Sequence, residues 1–126
     1  MLGAASPIAF LPSTDLDRAR RFFVDRLGLA VEEVTSFACV LHAGTTMLRV
    51  TKVDALNPQP FTVFGWRVGD IHATVAELAA AGISFLRYDG MGQDPAGVWT
   101  TPGGDMVAWF QDPDRNTLSL TQFANH

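Results

Sequence analysis

Arg49 and Arg67 stand inside apolar, alternating stretches of the chain. A guanidinium held there presents a planar fork of donors that matches a carboxylate, a phosphate or an enolate. The alternative is that each pairs with a local acid or reaches solvent. For Arg49 the two readings stand level, and for Arg67 the local one is preferred. Thr117, Ser119 and Thr121 alternate with Leu118 and Leu120, which gives a strand one small polar face and one apolar face. Ser119 has no His and Asp at a recognisable spacing, so a hydrolase triad is not supported. Cys39 lacks a neighbouring base and reads as a small buried apolar residue. His42 closes a strand and reads as a turn residue before a general base, His72 lies on the outer part of a helix, and His126 is the last residue. Gln93 and Asp94 belong to a glycine- and proline-rich stretch, 88–97, that reads either as a lid touching a ligand or as a solvated connection. Trp99 beside that stretch, with Trp109, Phe110 and Phe10, could stack on a planar ligand.

Composition narrows the chemistry. The 126 residues are 48% hydrophobic, enough for one compact domain, and carry a net charge of −4 with nine scattered basic residues. That distribution argues against a nucleic-acid footprint, which needs clustered Lys and Arg. No apolar run approaches the roughly 18 residues needed to span a membrane. Residues 1–7 lack a basic start followed by an apolar core, so no secretory signal is expected. A single cysteine excludes an internal disulfide and a cysteine-rich zinc site. A cytoplasmic protein is the expectation.

Two copies of one plan must position these side chains. Residues 8–11 read as a strand, Ser13-Thr14-Asp15 as a helix cap, and Leu16, Ala19, Phe22, Phe23 and Leu27 as one helical face that Gly28 terminates. Strands follow over 29–34, 37–41 and 46–52. Asn57-Pro58-Gln59-Pro60 is a linker, because two prolines in four residues continue neither a ladder nor a helix. The plan then repeats: a strand over 61–68, a cap at Asp70, a helix burying Ile71, Val75 and Leu78, Gly82 at its end, and strands over 83–87, 106–110 and 117–122. Asp15 and Asp70 are 55 positions apart, and Leu27-Gly28-Leu29 answers Ala81-Gly82-Ile83 with a slip of one residue. The fold class is α+β: two βαβββ modules (6–56 and 61–122) in one domain, joined by the linker 57–60, forming a half-open curved sheet or barrel.

With a helix on one face of each sheet, the other faces are expected to curl into an open cleft. Alternation places Ile8, Phe10 and Pro12, then Met47, Arg49 and Thr51, then Val63, Gly65 and Arg67, and finally Thr117, Ser119 and Thr121 on the cleft side, a register that a one-residue slip would invert.

These features together resemble one family. Asp15-Leu16-Asp17-Arg18-Ala19-Arg20-Arg21-Phe22-Phe23 with Leu27-Gly28-Leu29, then Val68-Gly69-Asp70-Ile71, then Asp112-Pro113-Asp114-Arg115-Asn116 before Leu118-Ser119-Leu120 are similar to the vicinal oxygen chelate superfamily. It includes glyoxalase I, extradiol dioxygenases, fosfomycin-resistance transferases and bleomycin-resistance proteins. The resemblance covers nearly the whole chain. The family has Gly where Arg115 stands, which strains the turn if that position needs φ > 0.

What the resemblance implies is a divalent metal held by inward residues, usually His on the first strand of each module and Glu on the last. Carried over by register, those positions are Ile8, Val63 and Ser119, with Arg49 at or beside the fourth. Two aliphatics, a hydroxyl and a cation are not a ligand set for such an ion. No metal and no cofactor are therefore expected, as in the metal-free, bleomycin-resistance-like branch. The expected function is binding of a small, largely apolar organic molecule, for sequestration or carriage, by Phe10, Met47, Arg49, Val63, Arg67, Gln93, Asp94, Trp99 and Ser119. The alternative is a metal-free enzyme in which Arg49 stabilises an oxyanion; a metal-dependent glyoxalase or dioxygenase conflicts with the missing ligands. Half-open sheets with exposed edges point to a homodimer as the expected assembly.

Overall fold

The structure is a computed structural model that describes residues 1–125; His126, noted above as the last residue, lies outside the described residues. The elements run β1 (Ile8–Ser13), α1 (Leu16–Arg20) continued by a π-helical turn (Arg21–Arg26), β2 (Ala30–Val34), β3 (Ala38–Ala43), β4 (Thr46–Lys52), β5 (Thr62–Arg67), α2 (Ile71–Ala80), β6 (Trp99–Thr100), β7 (Met106–Gln111) and β8 (Thr117–Gln122). They divide into two compact units, Met1–Asn57 and the chain from Pro58 on. Each unit carries one four-stranded mixed sheet. The orders, β1-β4-β3-β2 and β5-β8-β7-β6, are the same pattern twice.

Both helices start by the same device. Asp15 and Asp70 adopt extended φ, ψ (−148°, 98° and −142°, 95°), and each carboxylate accepts a hydrogen bond from the amide three residues on, Arg18 and Ala73, at 3.1 Å. This satisfies one of the amides that a helix start leaves without a partner. Gly28 and Gly82 end the two helical segments at φ 78° and 91°. The first helix is not regular throughout, as the periodicity over 16–27 implied. From Arg21 it widens: the Leu27 amide bonds the Phe22 carbonyl five residues back, at 3.2 Å. Thirteen positions separate Asp15 from Gly28, and twelve separate Asp70 from Gly82. The wide turn absorbs that extra residue, which is the physical form of the slip between the repeats. It also lets the neighbours Phe22 and Phe23 both reach the core, edge to face at 5.2 Å.

In the first unit the core lies between the helical segment and one sheet face, built from Leu11, Cys39, Leu41, Leu48 and Val50 with Leu16, Ala19, Phe22 and Phe23. In the second, Ile71 and Val75 of α2 cover Ala108, Phe110, Leu118 and Leu120; Trp66 stacks on Phe110 at 6.1 Å, and Phe64 meets Trp66 edge to face. The Gln122 side chain accepts the Ile71 amide at 2.8 Å, tying the start of α2 to the end of β8.

Three strand readings need correction. The stretch 83–87 is not a strand; it makes one bridge, Phe85 with Phe110, before the chain leaves in a loop and returns as the two-residue β6 against Met106 and Val107. The third strand of the first unit begins at Ala38 and runs to Ala43, so His42 is a strand residue and not a turn residue. The first strand of the second unit carries a bulge, its register passing from Thr62 opposite Thr117 to Phe64 opposite Leu118 with Val63 the extra residue.

Candidate functional site

Each sheet has a face turned away from its own helix, and the register shows which side chains share it. In the first unit, Ile8, Met47 and His42 form one row across β1, β4 and β3; Phe10, Arg49 and Val40 form the next; Pro12, Thr51 and Ala38 form the third. Phe10 is 60% exposed, and Arg49 and Met47 are half-buried. Among the described residues the Arg49 guanidinium has no hydrogen-bond or ion-pair partner. His42 does have one: its Nε2 lies 2.8 Å from Oε1 of Glu32. Spacing hides that pair, because Glu32 is ten residues away at the point where the β2–β3 register slips between Val31 and Glu33.

In the second unit the corresponding row is Gly65, Ser119 and Trp109. Trp99 stacks on Trp109 at 6.1 Å, and Tyr88 meets Trp109 edge to face at 5.5 Å. An aromatic wall therefore rises beside a floor of glycine and small hydroxyl residues. Ser119 is only 7% exposed, and among the described residues its hydroxyl has no hydrogen-bond partner. Arg67, on the neighbouring row opposite Thr121, is engaged instead with Phe123, its guanidinium carbon 4.7 Å from the ring centroid.

The stretch 88–97 is held by its own side chains. Gln93 accepts the Tyr88 amide at 2.6 Å and donates to the Leu86 and Gly97 carbonyls at 2.9 and 2.8 Å. Asp94 accepts from the Ala96 and Val98 amides at 2.9 Å and lies 2.7 Å from the His72 Nε2. Desolvation would raise the Asp94 carboxyl, but the bonds to His72, Val98 and Ala96 outweigh it and hold the group below its ordinary value. Gln93 and Asp94 are thus the pin of the loop and its tie to α2. Both side chains remain part-exposed while making these contacts.

The turn between β7 and β8 sets where Trp109 and Ser119 stand. Oδ1 of Asp112 accepts the Asp114 and Asn116 amides at 3.0 and 2.9 Å, and Oδ2 accepts the Asn116 side-chain amide at 2.8 Å. Burial pushes the Asp112 carboxyl up to about 6, against the lowering effect of the Asn116 bonds and with the Asp114 charge adding to the rise. Arg115 sits at φ 68°, the one non-glycine residue with positive φ among those described. Burial likewise raises the Cys39 thiol, with Arg20 opposing, so this core residue is poorly suited to act as a nucleophile.

The metal that the resemblance implies does not fit these residues. Ile8 and Val63 offer no donor atoms, Ser119 offers a neutral hydroxyl, and Arg49 is a cation. Among the described residues no three His, Cys, Asp or Glu side chains cluster as an ion site would need. No helix among them is long and apolar enough to cross a membrane.

Comparison with known proteins agrees with the fold. A family model described as the Glyoxalase/Bleomycin resistance protein/Dioxygenase superfamily matches residues 6–120. No curated protein matches the sequence. Among solved structures, a member of that superfamily from Sphaerobacter thermophilus is similar with a TM-score of 0.74 at 19% identity, covering 98% of this chain and 100% of the other. A glyoxalase/bleomycin resistance protein/dioxygenase from Alicyclobacillus acidocaldarius gives 0.72 at 18% identity, covering 97% and 93%. A lactoylglutathione lyase from Agrobacterium tumefaciens gives 0.68 at 20%, covering 94% and 93%.

Proposed function

The chain belongs to the glyoxalase/bleomycin resistance protein/dioxygenase superfamily, and on that footing we propose that it binds a small, largely apolar organic molecule without a metal ion, in a sequestering or carrier role. The observation that carries this reading is the Ser119 hydroxyl: nearly buried, unpartnered among the described residues, and flanked in register by Trp109 and by the bare backbone of Gly65. A planar ligand lying along the Trp99–Trp109 wall would present a polar edge atom to that hydroxyl. Within the first unit, Phe10 and Met47 offer apolar surface of their own on the sheet face turned from the helix. In this reading the protein works in the cytoplasm as a homodimer. The edge strand β2 is exposed along its whole length, with Val31, Val34 and nearby Phe37 bared.

Thermal shift and tryptophan fluorescence with 2-naphthol, with and without EDTA, test the proposal. Expected are stabilisation and quenching that EDTA leaves unchanged and that weaken in Ser119→Ala and Trp109→Ala. Stabilisation that requires an added divalent ion, or none at all, overturns it. Light scattering after size exclusion checks the dimer.

A second reading is favoured by one observation, the unpartnered Arg49 guanidinium on the first unit's exposed face. There the protein is a metal-free enzyme of lyase or isomerase type in which Arg49 stabilises developing negative charge.

A further inference from the structure

We propose that His42, oriented by Glu32 and working beside Arg49, is a general base that abstracts a proton from the carbon next to the ketone of an aryl-substituted 2-oxo acid. The inference rests on the second reading above, in which Arg49 meets an anion, and adds to it the group that moves the proton.

The three side chains come together through register. His42 lies opposite Met47 on β4, and Arg49 is two residues further along that strand, opposite Val40. His42 and Arg49 are thus diagonal neighbours on one face, a relationship that places their Cα atoms about 7–8 Å apart, within reach of both long side chains. A 2-oxo acid fits between two such groups, its carboxylate toward one and its acidic C–H toward the other. Parity is fixed on β4, where Leu48 and Val50 are wholly buried and Met47 and Arg49 only half-buried, and the pairing of His42 with Met47 carries it to β3.

Glu32 supplies orientation. With its Oε1 2.8 Å from Nε2 of His42, the neutral imidazole keeps its proton on Nε2 and leaves the Nδ1 lone pair available. Among the described residues Nδ1 has no partner, and neither has Arg49. The other such pair among the described residues, His72 with Asp94, lacks this setting. Arg87, the cation next to it, is already donating to the Pro95 and Gln93 carbonyls at 3.4 and 3.3 Å. Around His42 and Arg49 the rows are completed by Ile8, Met47 and Phe10, apolar surface suited to an aromatic ring.

The step balances within the site. Nδ1 of His42 takes the proton from the substrate carbon. The C–H electron pair becomes the C=C bond of the enolate, and the carbonyl π pair moves onto oxygen. Arg49 holds the carboxylate and the enolate oxygen, while Glu32 stabilises the imidazolium. The proton then returns to oxygen, giving the enol, or to carbon, restoring the ketone with a solvent-exchanged hydrogen. No oxidant, reductant or second substrate is consumed.

Proton NMR of phenylpyruvate in D2O, following loss of its C3 methylene signal, reads this directly. The full-length protein is expected to accelerate exchange over buffer, and His42→Gln to lower the protein-dependent rate about 100-fold or more. Glu32→Gln keeps an acceptor for Nε2–H but removes the charge that offsets the imidazolium, so it is expected to lower the maximal exchange rate about tenfold while leaving the half-saturating concentration unchanged; a purely structural role would move both together. Arg49→Met is expected to raise the half-saturating concentration about tenfold, with part recovered in Arg49→Lys. Melting curves establish that each variant is folded. Exchange no faster than buffer, or unaltered in folded His42→Gln, overturns the inference. Benzoylformate, which has no C3 hydrogen, separates the two claims. If it binds in an Arg49-dependent way without phenylpyruvate exchange, the base is wrong and the arginine reading stands; if its binding ignores Arg49, both fall.

Discussion

A Cβ built on Gly65 would lie 2.8 Å from the Ser119 Oγ and 2.9 Å from the Ser119 backbone oxygen. The hydroxyl can rotate away, but the carbonyl is fixed in the parallel β5–β8 ladder. Gly65→Ala is therefore expected to cost about 1–3 kcal/mol in urea unfolding. An alanine variant as stable as the parent would mean that the two strands do not approach this closely.

Gln93→Ala removes three hydrogen bonds that close the loop onto Leu86, Tyr88 and Gly97. At about 0.5–1.5 kcal/mol each, their loss lowers the local opening energy enough to raise amide exchange at Tyr88 by about tenfold or more. Exchange there should change far more than at Leu118 in the sheet core. Equal protection in parent and variant would show that the loop does not depend on this side chain.

The buried Asp112 carboxyl, raised to about 6, links stability to pH. An unfolded aspartate titrates near 3.9, so between about pH 4 and 6 the folded chain holds a proton at this site that the unfolded chain has released. The group's contribution is thus fully present below about pH 4 and is lost as pH rises through 6. Two units of separation correspond to about 2–3 kcal/mol. Urea unfolding at pH 4 and pH 7 should show the parent losing that much more on going to pH 7 than Asp112→Asn does. Identical pH dependences would assign the titration elsewhere.

Arg115 at φ 68° holds a conformation that costs an L-residue about 1–2 kcal/mol. Glycine removes that strain but loses more entropy on folding, leaving Arg115→Gly more stable by up to about 1 kcal/mol. Arg115→Ala, which keeps the strain, is the control and should not gain. A glycine variant with a lower melting temperature would count against this account.

How much of this is legible in the sequence depends on the reach of the interactions involved. The caps at Asp15 and Asp70 are local, because the carboxylate bonds an amide three residues away. Both were legible, as was the strained position of Arg115. The parity of β4 and β8 followed from simple alternation, which separated Leu48 and Leu118 from Arg49 and Ser119. Long-range bonds were not legible. Ile83 to Arg87 alternates like a strand, yet Gln93 draws 86, 88 and 97 together and spends that stretch on a loop. The partner of Arg67 is Phe123, and that of His42 is Glu32 across a register slip; neither pair has a characteristic spacing. The Trp99–Trp109 wall depended on where the two-residue β6 rejoined the sheet, and two residues carry no periodicity.

The widened turn at 21–26 bears on how such a chain could have arisen. If the halves descend from a single ancestral segment, one has since gained a residue or the other has lost one, at a place where the backbone could swell without moving the aspartate that opens the helix or the glycine that closes it. Length changes of this kind would leave the sheet rows in phase, so each half remained free to acquire its own chemistry: a guanidinium in one, an indole pair in the other.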